Sequence, residues 1–132
     1  MKGFLEGKNI VITGAGSGIG KAIAIAVAKE GANIVVADYG VALDGSEPTS
    51  EIAEATSEEI RALGVEAIPV AGDVSKMETG EQIVSAAVEN WGSVDGVVCV
   101  AGILRERMLF NMSEDEWDAV IAVHLKGHFT VY

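Results

Sequence analysis

One cysteine and two histidines in 132 residues exclude a disulfide framework and leave too few soft ligands for a structural zinc site. No metal is therefore expected. Nine Lys and Arg stand against twenty Asp and Glu, a formal charge of −11. Such a balance excludes the basic footprint of a nucleic-acid binder and a surface that sits on anionic lipid. No run approaches the roughly 18 apolar residues of a membrane span. Met1 to Glu6 does not lead into a signal peptide, so a reducing, cytoplasmic setting is expected. No repeat, low-complexity tract or charge block divides the chain, and residues 1–132 read as one domain. Aromatic residues are only 5%. Ala, Val, Ile and Gly dominate instead, as expected where parallel strands are covered by helices on both faces.

The organising stretch is Ile10-Val11-Ile12-Thr13-Gly14-Ala15-Gly16-Ser17-Gly18-Ile19-Gly20, an apolar run that breaks into glycines and reopens as an Ala-rich helical pattern. It predicts strand, turn, helix. Gly14 suits the turn, Gly18 the close approach of a ligand, and Gly20 the packing of helix on strand. A helix opening at Gly18 aims unpaired N–H groups and the positive end of its dipole at one point, where pyrophosphate would bind. A purely structural turn would also use glycines; the position between strand and helix favours a nucleotide.

Helical spacing follows over Lys21–Glu30, then an apolar strand over Asn33–Ala37 ending on Asp38. Tyr39–Thr49 reads as a loop, long for its place, either functional or a tolerated insertion. The next helix, capped by Thr49 or Ser50, is expected to turn Ile52, Ala55, Ile60 and Leu63 inward. Val65–Val70 forms a third strand, placed at a sheet edge by Pro69. Ala71-Gly72-Asp73-Val74 then turns into a helix over Lys76–Asn90, with Ile83, Ala87 and Val88 expected to be buried. Val94–Val100 forms a fourth strand, closed by Ala101-Gly102. Ser113-Glu114-Asp115-Glu116 matches a capping box. The helix it opens carries Trp117, Val120, Ile121, His124, Leu125 and His128 on one stripe, expected to be its packed face.

Four strands separated by helices predict an α/β fold: a Rossmann-type, doubly wound parallel sheet in the order 3-2-1-4, ending after the long helix that follows strand 4. All four strand ends then meet at one crevice, where open parallel sheets bind ligands. Asp38, eighteen residues past Gly20, can accept both hydroxyls of an adenosine ribose and would repel a 2′-phosphate, so NAD is expected over NADP. A solvated strand-end acid is the plain alternative. Asp73 fits an N-cap as well as an adenine contact. Cys99 reads as a small buried hydrophobe, Arg105, Arg107 and Lys126 as solvated surface or contacts to an anionic substrate, and His124 as a hydrogen-bonded packing residue.

Thr13-Gly14-x-x-x-Gly18-Ile19-Gly20, Asp73-Val74 and Ala101-Gly102 together resemble the short-chain dehydrogenase/reductase family, over the whole 132 residues. The resemblance implies that Gly14, Ser17, Gly18, Ile19 and Gly20 bind the cofactor pyrophosphate, that Asp73 and Val74 contact adenine, and that Ala101 and Gly102 support the sheet beside the nicotinamide ribose. Two departures stand out. Cys99-Val100 replaces the family's Asn-Asn before Ala-Gly, which removes the side-chain hydrogen bonds of that turn. His124, within Val123-His124-Leu125-Lys126-Gly127, occupies the place of the catalytic asparagine and is the single catalytic candidate.

With Ala101–Arg107 and Glu116-Trp117-Asp118, that segment is similar to the 3-hydroxyacyl-CoA dehydrogenase domain of peroxisomal multifunctional enzymes and bacterial relatives. It implies NAD-linked hydride transfer on a hydroxy or keto substrate, such as a 3-hydroxyacyl thioester. The family's serine and Tyr-x-x-x-Lys are absent: Leu43 lies four residues after Tyr39, and Tyr132 is last. The chain is thus expected to be the cofactor-binding half of a longer enzyme, inactive alone. It is also expected to self-associate through Ser113–Tyr132. A non-catalytic dinucleotide-binding or interaction module is the alternative.

Overall fold

The computed structural model describes residues 3–38, 51–101 and 108–131. The loop Tyr39–Thr49, the cap Ser50, and Gly102, Arg105, Arg107 and Tyr132 lie outside the described residues. Four strands, β1 (Asn9–Thr13), β2 (Asn33–Asp38), β3 (Ala67–Ala71) and β4 (Gly96–Cys99), form one parallel sheet in the order β3-β2-β1-β4. Pro69 sits in the edge strand β3, opposite Val36, where its missing N–H costs no ladder bond on the open side.

Alternate residues of β1 and β2 enter two separate cores, the period-2 consequence of a pleated strand. Ile12, Ile34 and Val36 pack under α1 (Gly18–Lys29) and α2 (Glu51–Arg61) with Ala24, Ala28, Ala53 and Ile60. Val11, Val35 and Ala37 pack on the other face under α3 (Met77–Trp91), with Ile83, Ala87, Val74 and Val131. At the amino ends of the strands, Asn9 and Asn33 stitch the sheet. Asn33 Nδ2 donates to Asn9 Oδ1, Asn9 Nδ2 to Ser93 Oγ, and the Glu66 N–H to Asn33 Oδ1.

Three packing expectations need correction. In α2 the buried face is Ala53, Thr56, Ser57 and Ile60, whereas Ala55 and Leu63 are exposed. The inward stripe contains two hydroxyls, which a search for apolar residues passes over. In α3, Val88 is exposed while Ile83 and Ala87 are buried. Cys99 is only half-buried, because it stands at the end of the edge strand β4.

The long helix also departs from a uniform period. Its capping box forms as expected: the Glu116 N–H donates to Ser113 Oγ (3.1 Å) and the Ser113 N–H to Glu116 Oε1 (3.4 Å). The helix α4 (Glu114–Ile121) then passes through a π-helical turn, Ala122–Lys126, into α5 (Gly127–Val131). A π turn takes up extra residue and rotates the packed face. Gly127, Thr130 and Val131 are the buried positions, Val120 is half-buried, and Trp117, Ile121, His124, Leu125 and His128 are exposed. The stripe read as the packed face is the outer one.

Candidate functional site

Parallel pairing brings the carboxyl ends of all four strands to one edge. Thr13 pairs with Ala37 on one side and with Cys99 on the other, and Asp38 with Ala71. The glycine turn leaves β1 at this edge. Gly14 has φ +68°, and a Cβ there would lie 2.7 Å from the backbone nitrogen of Ala101. Only glycine can make that turn against the end of β4. Gly20 presses on the turn itself, since a Cβ would fall 2.0 Å from the Gly14 carbonyl oxygen. Gly18 differs: its φ is +56°, yet an added Cβ would meet nothing within 4 Å.

The turn thus packs on two sides and opens on a third, at the first residue of α1. Ser17, Gly18 and Ile19 are exposed there. Ser17 is the N-cap residue but makes no side-chain cap, and the first turn of α1 holds no acidic residue. By contrast, α4 holds Glu114, Asp115 and Glu116 in its first turn and is capped. The start of α1 therefore keeps its donors and dipole available to an external anion. These features fit the pyrophosphate of a dinucleotide.

Asp38 lies against this turn. Its Oδ2 accepts from the Gly16 N–H (2.8 Å), and the Ala15 N–H donates to the Ala37 carbonyl (3.2 Å). The carboxylate at the end of β2 and the middle of the glycine turn are one hydrogen-bonded unit. The turn after β3 joins them, the Gly72 N–H donating to the Asp38 carbonyl (3.3 Å).

Asp73 is not the N-cap of α3, a position held by Lys76. Its Oδ1 accepts from the Ser75 N–H (2.9 Å) and the Ser75 hydroxyl (2.7 Å), an Asx turn that fixes the bend before α3. Val74 is buried. The Thr130 hydroxyl donates to its carbonyl (2.5 Å), so α5 is tied to the same bend. His124 lies in the π turn and is solvent-exposed, which overturns its expected place in a packed stripe. Its carbonyl accepts from His128 Nδ1 (2.6 Å), a bond that requires the proton on that nitrogen.

Three contributors were given no role of their own in the motif reading. Thr13, buried, accepts on Oγ1 from the N–H groups of Val100 (3.1 Å) and Ala101 (3.3 Å). It joins the ends of β1 and β4 where Cys99-Val100 offers no amide side chain. Gly16 is held at both its N–H and its carbonyl, the latter by the Thr56 hydroxyl (2.9 Å). Thr13 and Gly16 lie inside the motif, so position pointed to them; nothing in the sequence pointed to Thr56.

Known proteins are similar to this chain in sequence and fold. The family model described as short chain dehydrogenase matches residues 8–132. Hydroxyacyl-CoA dehydrogenase ChsB1 of Mycobacterium tuberculosis is 50% identical over 125 residues, 95% of this chain and 38% of that protein. Peroxisomal multifunctional enzyme type 2 of Mus musculus is 38% identical over 126 residues, 96% of this chain and 17% of that protein. A crystal structure of a short chain dehydrogenase from Mycobacterium avium superimposes with a TM-score of 0.88 at 47% identity, covering 98% of this chain and 46% of that one. The chain spans less than half the length of each of these three. With the sheet order, the glycine turn and a model match over nearly its whole length, the chain belongs to the short-chain dehydrogenase family.

Proposed function

We propose that this chain is the NAD-binding half of an oxidoreductase that transfers hydride between the nicotinamide and a hydroxy or keto substrate, a 3-hydroxyacyl thioester in the first instance. The observation that carries the reading is the bond between Asp38 Oδ2 and the Gly16 N–H. It places a carboxylate suited to the ribose hydroxyls beside the turn suited to the pyrophosphate. A 2′-phosphate at that place would meet a negative charge. The thioester rests on the relatives named as hydroxyacyl-CoA dehydrogenase and peroxisomal multifunctional enzyme.

In this reading Gly14, Ser17, Gly18, Ile19 and Gly20 receive the pyrophosphate, and Asp38 takes the adenosine ribose. Asp73 and Val74 take adenine, and Ala101 and Gly102 back the nicotinamide ribose. NAD supplies the hydride acceptor. His124 stands at the catalytic asparagine's place. Catalysis by these 132 residues alone is not expected, since they hold no Tyr-x-x-x-Lys to move the substrate proton. We also infer that the exposed face of α4 and α5 pairs two copies of the chain.

Calorimetric titration of the chain with NAD and NADP tests the cofactor. NAD is expected to bind more tightly. Asp38→Ala is expected to weaken NAD roughly tenfold or more, the effect of losing hydrogen bonds to a charged group, and to weaken NADP less. Equal losses would remove the case for NAD.

A further inference from the structure

Gly16 is the middle of the turn and is anchored from two distant parts of the chain. Its N–H belongs to the peptide unit shared with Ala15 and donates to Asp38 Oδ2 (2.8 Å). Its carbonyl belongs to the next peptide unit, shared with Ser17, and accepts from Thr56 Oγ1 (2.9 Å). Each peptide unit is rigid, so fixing both leaves the φ and ψ of Gly16 no freedom. Glycine has the most such freedom to lose. Thr56 is 1% exposed, which keeps water from replacing its hydroxyl. Ile52, one turn earlier in α2, closes the remaining side: a Cβ on Gly16 would lie 2.3 Å from Ile52 Cγ2.

We propose that Thr56 is a positioning residue for the dinucleotide site, acting through the Gly16 carbonyl on its pyrophosphate half. Holding the Gly16 carbonyl sets the peptide that leads into Ser17 and Gly18, and hence the direction of the first N–H groups of α1. Without the Thr56 hydroxyl the peptide between Gly16 and Ser17 can rotate, and the first N–H groups of α1 lose their preset direction. Binding must then supply the ordering, at a cost in affinity. The inference rests on the proposed dinucleotide site and extends it to a helix that carries none of the family's motif residues.

The test compares Thr56→Val, which keeps the shape and removes the donor, with Thr56→Ser, which keeps the donor. The readouts are NAD and NADP dissociation constants by calorimetry, amide hydrogen exchange at Gly16, and Tm. Thr56→Val is expected to raise the dissociation constant for NAD roughly three- to tenfold, the effect of one buried hydrogen bond. It is also expected to weaken NADP to the same extent, because the pyrophosphate is common to both, and to speed exchange at the Gly16 amide. Thr56→Ser should stay within about twofold of the unmodified chain. If Thr56→Val does not fold, Thr56→Ala, which favours the helix and likewise removes the donor, replaces it with the same expectations. The proposal is overturned if the variant without the hydroxyl binds NAD as the unmodified chain does while only its Tm falls, or if Thr56→Ser loses as much affinity. An unmodified chain that binds neither dinucleotide overturns instead the proposed function on which this inference rests.

Discussion

Thr56 and Ser57 are adjacent buried hydroxyls on α2 with opposite circumstances. Thr56 donates to the Gly16 carbonyl, whereas Ser57 Oγ, in a residue with no exposed surface, has no hydrogen-bond partner among the described residues. An unsatisfied buried hydroxyl costs on the order of 1–3 kcal/mol, and alanine is also the better helix former, by about 0.5 kcal/mol. Ser57→Ala is therefore expected to raise stability by about 1 kcal/mol or more and Tm by several degrees, with NAD affinity unchanged. Urea and thermal denaturation check this, and a lower urea midpoint would refute it. Neither hydroxyl was legible in the sequence. Nothing within Thr-Ser-Glu-Glu marks them as buried, and the bond from Thr56 spans forty positions. Gly14, Gly18 and Gly20 were legible as a strand-turn-helix signal, because the steric needs of such a turn are local.

At the scale of elements, the strands, their order and the capping box of α4 followed from apolar runs, crossover handedness and a four-residue pattern. The π turn did not. A single inserted residue leaves no composition signal, and the outward face of the helix was misread from its start, since Trp117 and Ile121 precede the π turn and are already exposed. What the π turn makes possible is a close contact between α3 and α5. A Cβ on Gly80 would lie 2.1 Å from the Thr130 carbonyl oxygen, and the Thr130 hydroxyl reaches the Val74 carbonyl from the same turn. Gly80→Ala would gain about 1 kcal/mol of helix propensity in isolation. Here the added methyl must push α5 away, and overpacking of this kind typically costs 1–3 kcal/mol. The substituted chain is expected to unfold at a lower urea concentration with its m-value unchanged. A midpoint at or above that of the unmodified chain would show that α5 yields without cost.

For the molecule as a whole, sheet order and the meeting of the strand ends at one edge were legible, because parallel topology leaves few alternatives once four strands are recognised. The outer surface was less so. Trp117, Ile121, Leu125 and Phe129 succeed one another at intervals of four along α4, the π turn and α5, and are 53%, 37%, 66% and 68% exposed. An apolar ridge of this extent is unusual on a free surface, which supports the inferred pairing of two copies. The formal charge of −11 opposes that pairing, because two copies repel at long range. At an ionic strength of about 0.5 M the screening length falls to a few ångströms, which removes most of the repulsion and leaves the apolar contact intact. Self-association is therefore expected to strengthen as salt is raised, the opposite of a contact built on ion pairs. Sedimentation equilibrium at low and high salt measures it. Leu125→Glu, which places a charge on the ridge and adds to the net negative charge, is expected to hold the chain monomeric at both. A chain that stays monomeric at high salt and at a concentration of about 100 μM, far above the dissociation constant of a specific dimer, would rule out pairing through this face.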